Sequence, residues 1–259
     1  MRSASPFTMS DDPIGQAIGW VGTAMAIFLF LAPLPTMRKV SRARSTLEFS
    51  ATPFLVSTLN CGLWSVYALP TMITPDRYQS LVCNVFGLVM EVAYICHFLR
   101  FAANRRALWL RLAGAVATLA ALVGIAIALD AAAVPFPCWP HAASECPRVA
   151  SNVLGWMASV FNILMYGAPL TIMADVLRTR SVQFMPLPLT LAVLCCSSAW
   201  LVYALYVMDP FILIPNVSGV GLGILQVCLY TYVAGIVGER KELLNAVADA
   251  DAINYQTAP

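Results

Sequence analysis

Long apolar runs broken by short polar, basic or proline-containing stretches organise this chain. Hydrocarbon offers the backbone no hydrogen-bond partners, so a crossing segment must be a helix, and spanning the ~30 Å layer takes roughly 20 mostly apolar residues. Seven stretches meet that condition: Ile14 to Pro35, Thr52 to Leu69, Gln79 to Phe101, Leu108 to Leu129, Asn152 to Ala174, Pro186 to Met208 and Phe211 to Val237. The N-terminal MRSASPFTMSDD carries no apolar run, so no cleaved signal peptide is expected and the first helix itself directs insertion. The pattern predicts an all-α integral membrane protein with seven transmembrane helices.

The apolar runs also repeat. LWSVYAL at Leu63 to Leu69 returns as AWLVYAL at Ala199 to Leu205, and the same spacing of 136 residues aligns GW at Gly19 with GW at Gly155, APL at Ala32 with APL at Ala168, and RST at Arg44 with RSV at Arg180. NVFG at Asn84 meets NVSG at Asn216 at a spacing of 132, because the second hairpin loop is shorter. Three helices are therefore duplicated. An odd number would invert the second copy, yet the equivalent basic loops RKVSRAR and RTR both belong in the cytoplasm. The Ala- and Leu-rich segment from Leu108 to Leu129 supplies the extra crossing. The expected architecture is 3+1+3: two parallel three-helix bundles joined by a linker helix and related by an axis along the membrane normal. In residue numbers, an outer N-terminal tail covers 1–13, the first repeat 14–101, the linker helix and its loops 102–151, the second repeat 152–237 and a cytoplasmic tail 238–259.

Composition agrees with a lipid solvent, since 60% of the 259 residues are hydrophobic and only 11% charged, too few polar side chains to cover a water-soluble globule. Lys and Arg are retained on the cytoplasmic side. With the N-terminus outside and the C-terminus in the cytoplasm, that side holds Arg38, Lys39, Arg42, Arg44, Arg100, Arg105, Arg106, Arg111, Arg178, Arg180, Arg240 and Lys241, against Arg2, Arg77 and Arg148 outside. The net charge of +2 is thus spread over loops as a topology signal, and nucleic acid is not an expected partner. Cys138 and Cys146 fall in the outer loop VPFPCWPHAASECPRVA, where oxidising conditions permit a disulfide, the alternative being two unpaired thiols. His141 between them does not complete a metal site, and no metal or cofactor is expected.

APLPT, RSTLEFSATP, LNCGLWSVYAL and NVFGLVMEVAY, followed by MYGAPLTIM, RTRSVQFMP, SSAWLVYAL, DPFILIPN and LGILQ, resemble both halves of the SWEET sugar facilitators. The resemblance covers about residues 15 to 237. Parallel repeats are that family's known geometry, with substrate sites at the repeat interface.

Trp64 and Trp200 hold equivalent positions, and a flat indole on each side suits the apolar C–H face of a sugar ring while leaving its hydroxyl rim free. On the residues alone this stands level with an interfacial belt, the role read for Trp20 and Trp156; the resemblance implies the pocket. Asn84 and Asn216 offer donors and acceptors to hydroxyls, or glue helices together; the resemblance implies sugar binding. Pro33 and Pro169 each remove a helical hydrogen bond, freeing the carbonyls of Leu29 and Met165 and permitting a bend. Pro53 and Pro186 begin helices, ordinary first-turn positions for proline. The resemblance places all four prolines near the cytoplasmic gate, and implies that Leu29, Asn60, Met165 and Cys196 line the cavity. Bulk at the first three favours a monosaccharide over a disaccharide; the smaller Cys196 argues the other way.

The implied function is a passive, bidirectional sugar uniporter working by alternating access, with a hexose such as glucose as substrate. The alternative is a proton-coupled transporter of the PQ-loop type carrying amino acids or another small polar solute, with Glu91 as candidate proton site and His97 near the cytoplasmic end. A receptor would not repeat its first three helices, and a retinal protein needs a lysine in its last helix, whereas the chain has only Lys39 and Lys241. Neither paired carboxylates nor a Ser/His/Asp set suggests an enzyme. The expected partners are the sugar and the bilayer, the plasma membrane by default; ERKELL at Glu239 to Leu244 resembles a sorting signal but abuts the last helix. Homo-oligomers are frequent among symmetric transporters, and the sequence leaves oligomeric state open.

Overall fold

The computed structural model describes residues 13–69, 77–132, 149–183 and 185–257, with side chains described as far as residue 236. Nine helices occur among these residues: α1 (Pro13–Leu31), α2 (Leu34–Ala43), α3 (Thr52–Tyr67), α4 (Tyr78–Phe101), α5 (Arg105–Ala131), α6 (Val149–Met165), α7 (Gly167–Thr179), α8 (Leu187–Val207) and α9 (Pro210–Thr257). They make seven crossings, because α1 with α2 and α6 with α7 are each one span broken in the middle. The breaks fall at Ala32–Pro33 and at Tyr166, three residues before Pro169, where the missing proline N–H removes helical bonds.

Six of the crossings are long and apolar enough to span a membrane by themselves. The seventh, α3, has 16 helical residues, about 24 Å at 1.5 Å per residue. It tolerates this because it is wrapped by protein, packing against α4, α5 and α6. Beyond its apolar part α9 continues to Thr257 through a segment with four alanines, two leucines and two glutamates, good helix formers in water.

One bundle comprises α1–α4 and the other α6–α9, while α5 leans on α3 and α6. The bundles meet through α1 against α8 and α3 against α6. Since α1 is equivalent to α6 and α3 to α8, the two seams are copies of each other, as an axis along the membrane normal requires. A shared apolar core, including Leu63, Trp64, Tyr67, Leu154, Ala158, Trp200, Tyr203 and Phe211, joins the halves at the end of α3 and α8 remote from the basic loops. At the basic end each half keeps its own core: Met37, Val40, Tyr94 and Phe98 with Leu108 of α5 in the first, Val176, Met185 and Val233 in the second. The halves are therefore closed on each other at one end and separate at the other.

Glycine makes the closed end possible. A Cβ on Gly19 would stand 2.8 Å from Tyr203 Cε2 and 2.9 Å from Gln79 Cγ, and one on the equivalent Gly155 would stand 2.6 Å from Phe211 Cγ and 2.9 Å from Tyr67 Cε2. Each glycine lies where the tyrosine of the other half crosses. A Cβ on Gly219 would likewise meet Tyr166 and Ser197, and one on Gly223 would meet Leu194, at 2.6–3.1 Å. Gly155→Val should lower stability by about 2 kcal/mol or more through overpacking against two rings. Gly124→Ala, where nothing lies within 4 Å, should leave it unchanged or slightly raised. Thermal unfolding of the purified protein in detergent distinguishes the two, and equal melting points for both variants would contradict the packing argument.

Candidate functional site

The duplicated phrase sets the site's geometry. Trp64 and Tyr67 on α3 are one turn apart and share a face, as do Trp200 and Tyr203 on α8. Their rings meet edge to face at 5.4 Å and 87° in the first pair, and 5.4 Å and 86° in the second. Trp64 and Trp200 are 6% and 9% exposed, whereas Trp20 and Trp156 are 46% and 38% exposed. Four tryptophans thus divide into two that face the seam and two on the outside. The Trp200 indole covers Gly22 on α1 of the other half at 3.1–3.3 Å from where a Cβ would be. Cys196, one turn before Trp200, belongs to the same shared core, and Leu29 packs against it.

Asn60 sits one turn before Trp64 with its Oδ1 buried and without a hydrogen-bond partner among the described residues. A buried carbonyl oxygen left unpaired costs about 1–3 kcal/mol, so this atom is disposed toward a donor such as water or a hydroxyl. Asn84 Nδ2 donates to the Ser80 carbonyl at 2.8 Å, and Asn216 Nδ2 donates to the Ile212 carbonyl at 2.7 Å. These bonds are equivalent in the two repeats. Each amide keeps a carbonyl oxygen and a second N–H outside them. Met165 is the last residue of α6, half-buried at the break. The structure therefore gathers Trp64, Trp200, Cys196 and Leu29 into one apolar cluster, to which Met165 does not belong.

Of the prolines, Pro33 and Pro169 are half-buried at the two breaks, and Pro53 and Pro186 are exposed at the starts of α3 and α8. Backbone carbonyls near the breaks find side-chain donors: Tyr94 OH donates to the Phe30 carbonyl at 2.7 Å. The sequence reading passed over Pro215, which lies inside α9. Its missing N–H frees the Phe211 carbonyl four residues earlier, and Ser159 Oγ on α6 sits 2.7 Å from that oxygen. The Pro215 carbonyl accepts from Tyr166 OH at 2.8 Å. Thr23, equivalent to Ser159, makes the matching bond to the Gln79 carbonyl at 3.0 Å.

Above the tryptophans a polar cluster locks the halves together. Asp209 is 2% exposed. Its Oδ2 accepts from Tyr67 OH at 2.8 Å and pairs with the Arg77 guanidinium, both from the other half. Its Oδ1 accepts from the Phe211 and Ile212 backbone N–H groups at 2.9 and 3.4 Å, capping the start of α9. This cluster was not anticipated, since Arg77 was counted only as an outer charge. The signal was available: Arg77 and Asp209 stand seven residues before Asn84 and Asn216, so opposite charges occupy equivalent positions and meet across the axis. Glu91 on α4 is buried at 5% exposure, and its Oε2 has no partner among the described residues. Cys138 and Cys146 lie outside the described residues.

Comparison with known proteins follows the same outline. A family model described as "Sugar efflux transporter for intercellular exchange" matches residues 16–106 and again 152–235. The chain is 37% identical over 212 residues to the bidirectional sugar transporter SWEET1a of Sorghum bicolor, covering 82% of this chain and 74% of that one. It is 35% identical over 215 residues to the bidirectional sugar transporter SWEET5 of Arabidopsis thaliana, covering 82% and 83%. A solved eukaryotic SWEET transporter superposes with a TM-score of 0.74 at 30% identity, over 85% of this chain and 97% of that one. Matched over both repeats, the chain belongs to the SWEET (MtN3) family of membrane transporters, not to a family of enzymes.

Proposed function

We propose that this protein carries a small sugar, a hexose such as glucose, across a membrane in both directions and without energy input. The observation that carries the reading is the mirrored, buried pair Trp64 and Trp200 at the seam between the repeats. The two indoles hold the C–H faces of the ring, and Asn84, Asn216 and Asn60 exchange hydrogen bonds with its hydroxyls. Leu29, Met165 and Cys196 set the size of the chamber. A site that must release its cargo quickly binds weakly, on the order of millimolar, or about −4 kcal/mol. Relatives named as sugar transporters support this substrate class over an amino acid or a proton-coupled solute.

Alternating access follows from the two ends. The Asp209–Tyr67–Arg77 cluster and the shared core form the outer gate, closed here, while the separate cores at the basic end leave the inner side apart. The bends at Pro33 and Pro169, with Pro53 and Pro186 at the neighbouring helix starts, let α2 and α7 swing to close the inner side once the outer gate opens. The basic loops support an outer N-terminus and a cytoplasmic C-terminus, and the plasma membrane is the proposed location. The repeats at 14–101 and 152–237 move as the two working units, and a homo-oligomer is compatible with this arrangement.

Radiolabelled glucose should equilibrate across proteoliposomes without accumulating; uphill uptake driven by a pH step would overturn the uniport reading. Trp200→Ala should cut uptake by at least about tenfold, the loss of one stacking face at roughly 1.4 kcal/mol per decade, with the protein still folded and monodisperse in detergent at a melting point lowered by the lost core packing. Wild-type uptake in that variant would remove Trp200 from the site. Asp209→Asn should weaken the outer gate, so in a variant whose single cysteine is Cys196, labelling by an impermeant thiol reagent from outside should rise several-fold. Unchanged labelling would show that the cluster does not gate.

A further inference from the structure

A second concave site lies at the basic end, away from the tryptophans. Ser41 and Arg44 from α2, His97, Arg100 and Phe101 from α4, and Arg105 from the start of α5 line a cavity of about 600 Å³, within the roughly 300–1,000 Å³ usual for small-molecule sites. Four of these six residues carry basic side chains and none is acidic. Arg77 and Arg178 each have a carboxylate partner, Asp209 and Asp175, but among the described residues no carboxylate pairs with Arg44, Arg100 or Arg105.

The cluster is held in place. Arg105 Nη2 donates to the Arg100 carbonyl at 3.0 Å, and the Arg100 guanidinium lies 5.8 Å from the centre of the Phe101 ring. That ring meets His97 edge to face at 5.2 Å. His97 Nε2 is 3.2 Å from the Met37 carbonyl oxygen and 3.0 Å from Ser41 Oγ. A carbonyl only accepts, so this nitrogen carries a hydrogen, and the Ser41 hydroxyl hydrogen remains able to donate elsewhere. Arg44 is the left-handed cap of α2, at φ 49°. Arg105 and Arg106 open α5, where a cation opposes the helix dipole and an anion would be favoured.

A topology signal explains why these residues face the cytoplasm; it does not explain why they converge on one cavity. The second repeat is an internal control. Its equivalents of Ser41, His97, Arg100 and Phe101 are Leu177, Leu229, Tyr232 and Val233, and Leu229 and Val233 belong there to the apolar core around Val176 and Met185. Only Arg44 has a basic counterpart, Arg180. The fold position that carries Leu229 against the apolar core of one repeat carries His97 in the other, beside three arginines. Three guanidinium groups, an imidazole and a hydroxyl around a half-open cavity match a phosphate ester, whose oxygens accept paired N–H donors from arginine.

We infer that the Ser41–Arg44–His97–Arg100–Arg105 cavity binds a phosphate-bearing ligand, either the headgroup of a phosphoinositide or a free sugar phosphate. Bound phosphate bridges Arg44 on α2 to Arg100 and Arg105 and pins α2, the segment beyond the Pro33 break. On the transport reading above, the ligand slows the inner gate; binding itself does not depend on that reading.

The test uses the full chain in phosphatidylcholine nanodiscs. In one arm the discs contain a small share of phosphatidylinositol bisphosphate, and native mass spectrometry reads lipid retained by the protein. In the other, glucose 6-phosphate or inositol trisphosphate is titrated calorimetrically onto plain discs. Retained lipid identifies the headgroup as the source, and saturable soluble binding identifies the free ester. In whichever arm binds, Arg44→Gln/Arg100→Gln and the gentler Arg44→Lys/Arg100→Lys should weaken binding by at least about tenfold. Arg178→Gln/Arg180→Gln, at the equivalent end of the other repeat, should change it by no more than about twofold. Neither probe binding wild-type protein overturns the inference, as does equal loss in both sets of variants, which would mean diffuse surface charge. Sugar flux measured on the same discs fused into vesicles reports the gating consequence separately.

Discussion

A backbone that crosses hydrocarbon must satisfy its own polar groups, and near the prolines of this protein side chains take over part of that duty. Tyr94 donates to the Phe30 carbonyl beside the first break, Ser159 reaches the Phe211 carbonyl freed by Pro215, and Tyr166 donates to the carbonyl of Pro215 itself. Each donor sits on a different helix from its acceptor. Each of these bonds ties one helix to its neighbour where a helical bond is missing or weakened.

The same economy of partners shapes the closed end. A buried carboxylate is tolerable only when paired and hydrogen-bonded, and Asp209 draws its partners from its own helix start and from both Tyr67 and Arg77 of the other half. Separating the halves would strip the carboxylate of two of them, so the cluster resists opening until water enters and solvates it. Beneath it the contacts are apolar and mirrored: two Trp–Tyr pairs at the same distance and two glycines under the opposing tyrosines.

Symmetry and its breaking have different physical jobs. Residues with equivalent contacts recur in both repeats, as with Trp64 and Trp200, Asn84 and Asn216, or Thr23 and Ser159. Charges that meet on the axis cannot recur, since identical charges would repel; fusion of two copies into one chain lets Arg77 face Asp209. The basic cavity at the other end is a second departure, with His97 standing where Leu229 packs against the apolar core of the second repeat and Arg100 where Tyr232 is exposed.

Crossings, duplication and the linker were legible because hydrophobicity is a local property: lipid selects each run of residues by length and polarity, whatever its neighbours do. The chemistry of Trp64 and Trp200 was legible as well, but not their direction, because an indole suits both a membrane surface and a sugar ring. Burial decides that, and burial belongs to the packing of α3 and α8 against the opposite half. The shortness of α3, the role of Pro215, the end at which the bundles close and the joining of Arg77 and Tyr67 to Asp209 came only from tertiary structure. Each depends on which residues far apart in the chain become neighbours, and no apolar run, however regular, encodes by itself the surface against which it will pack.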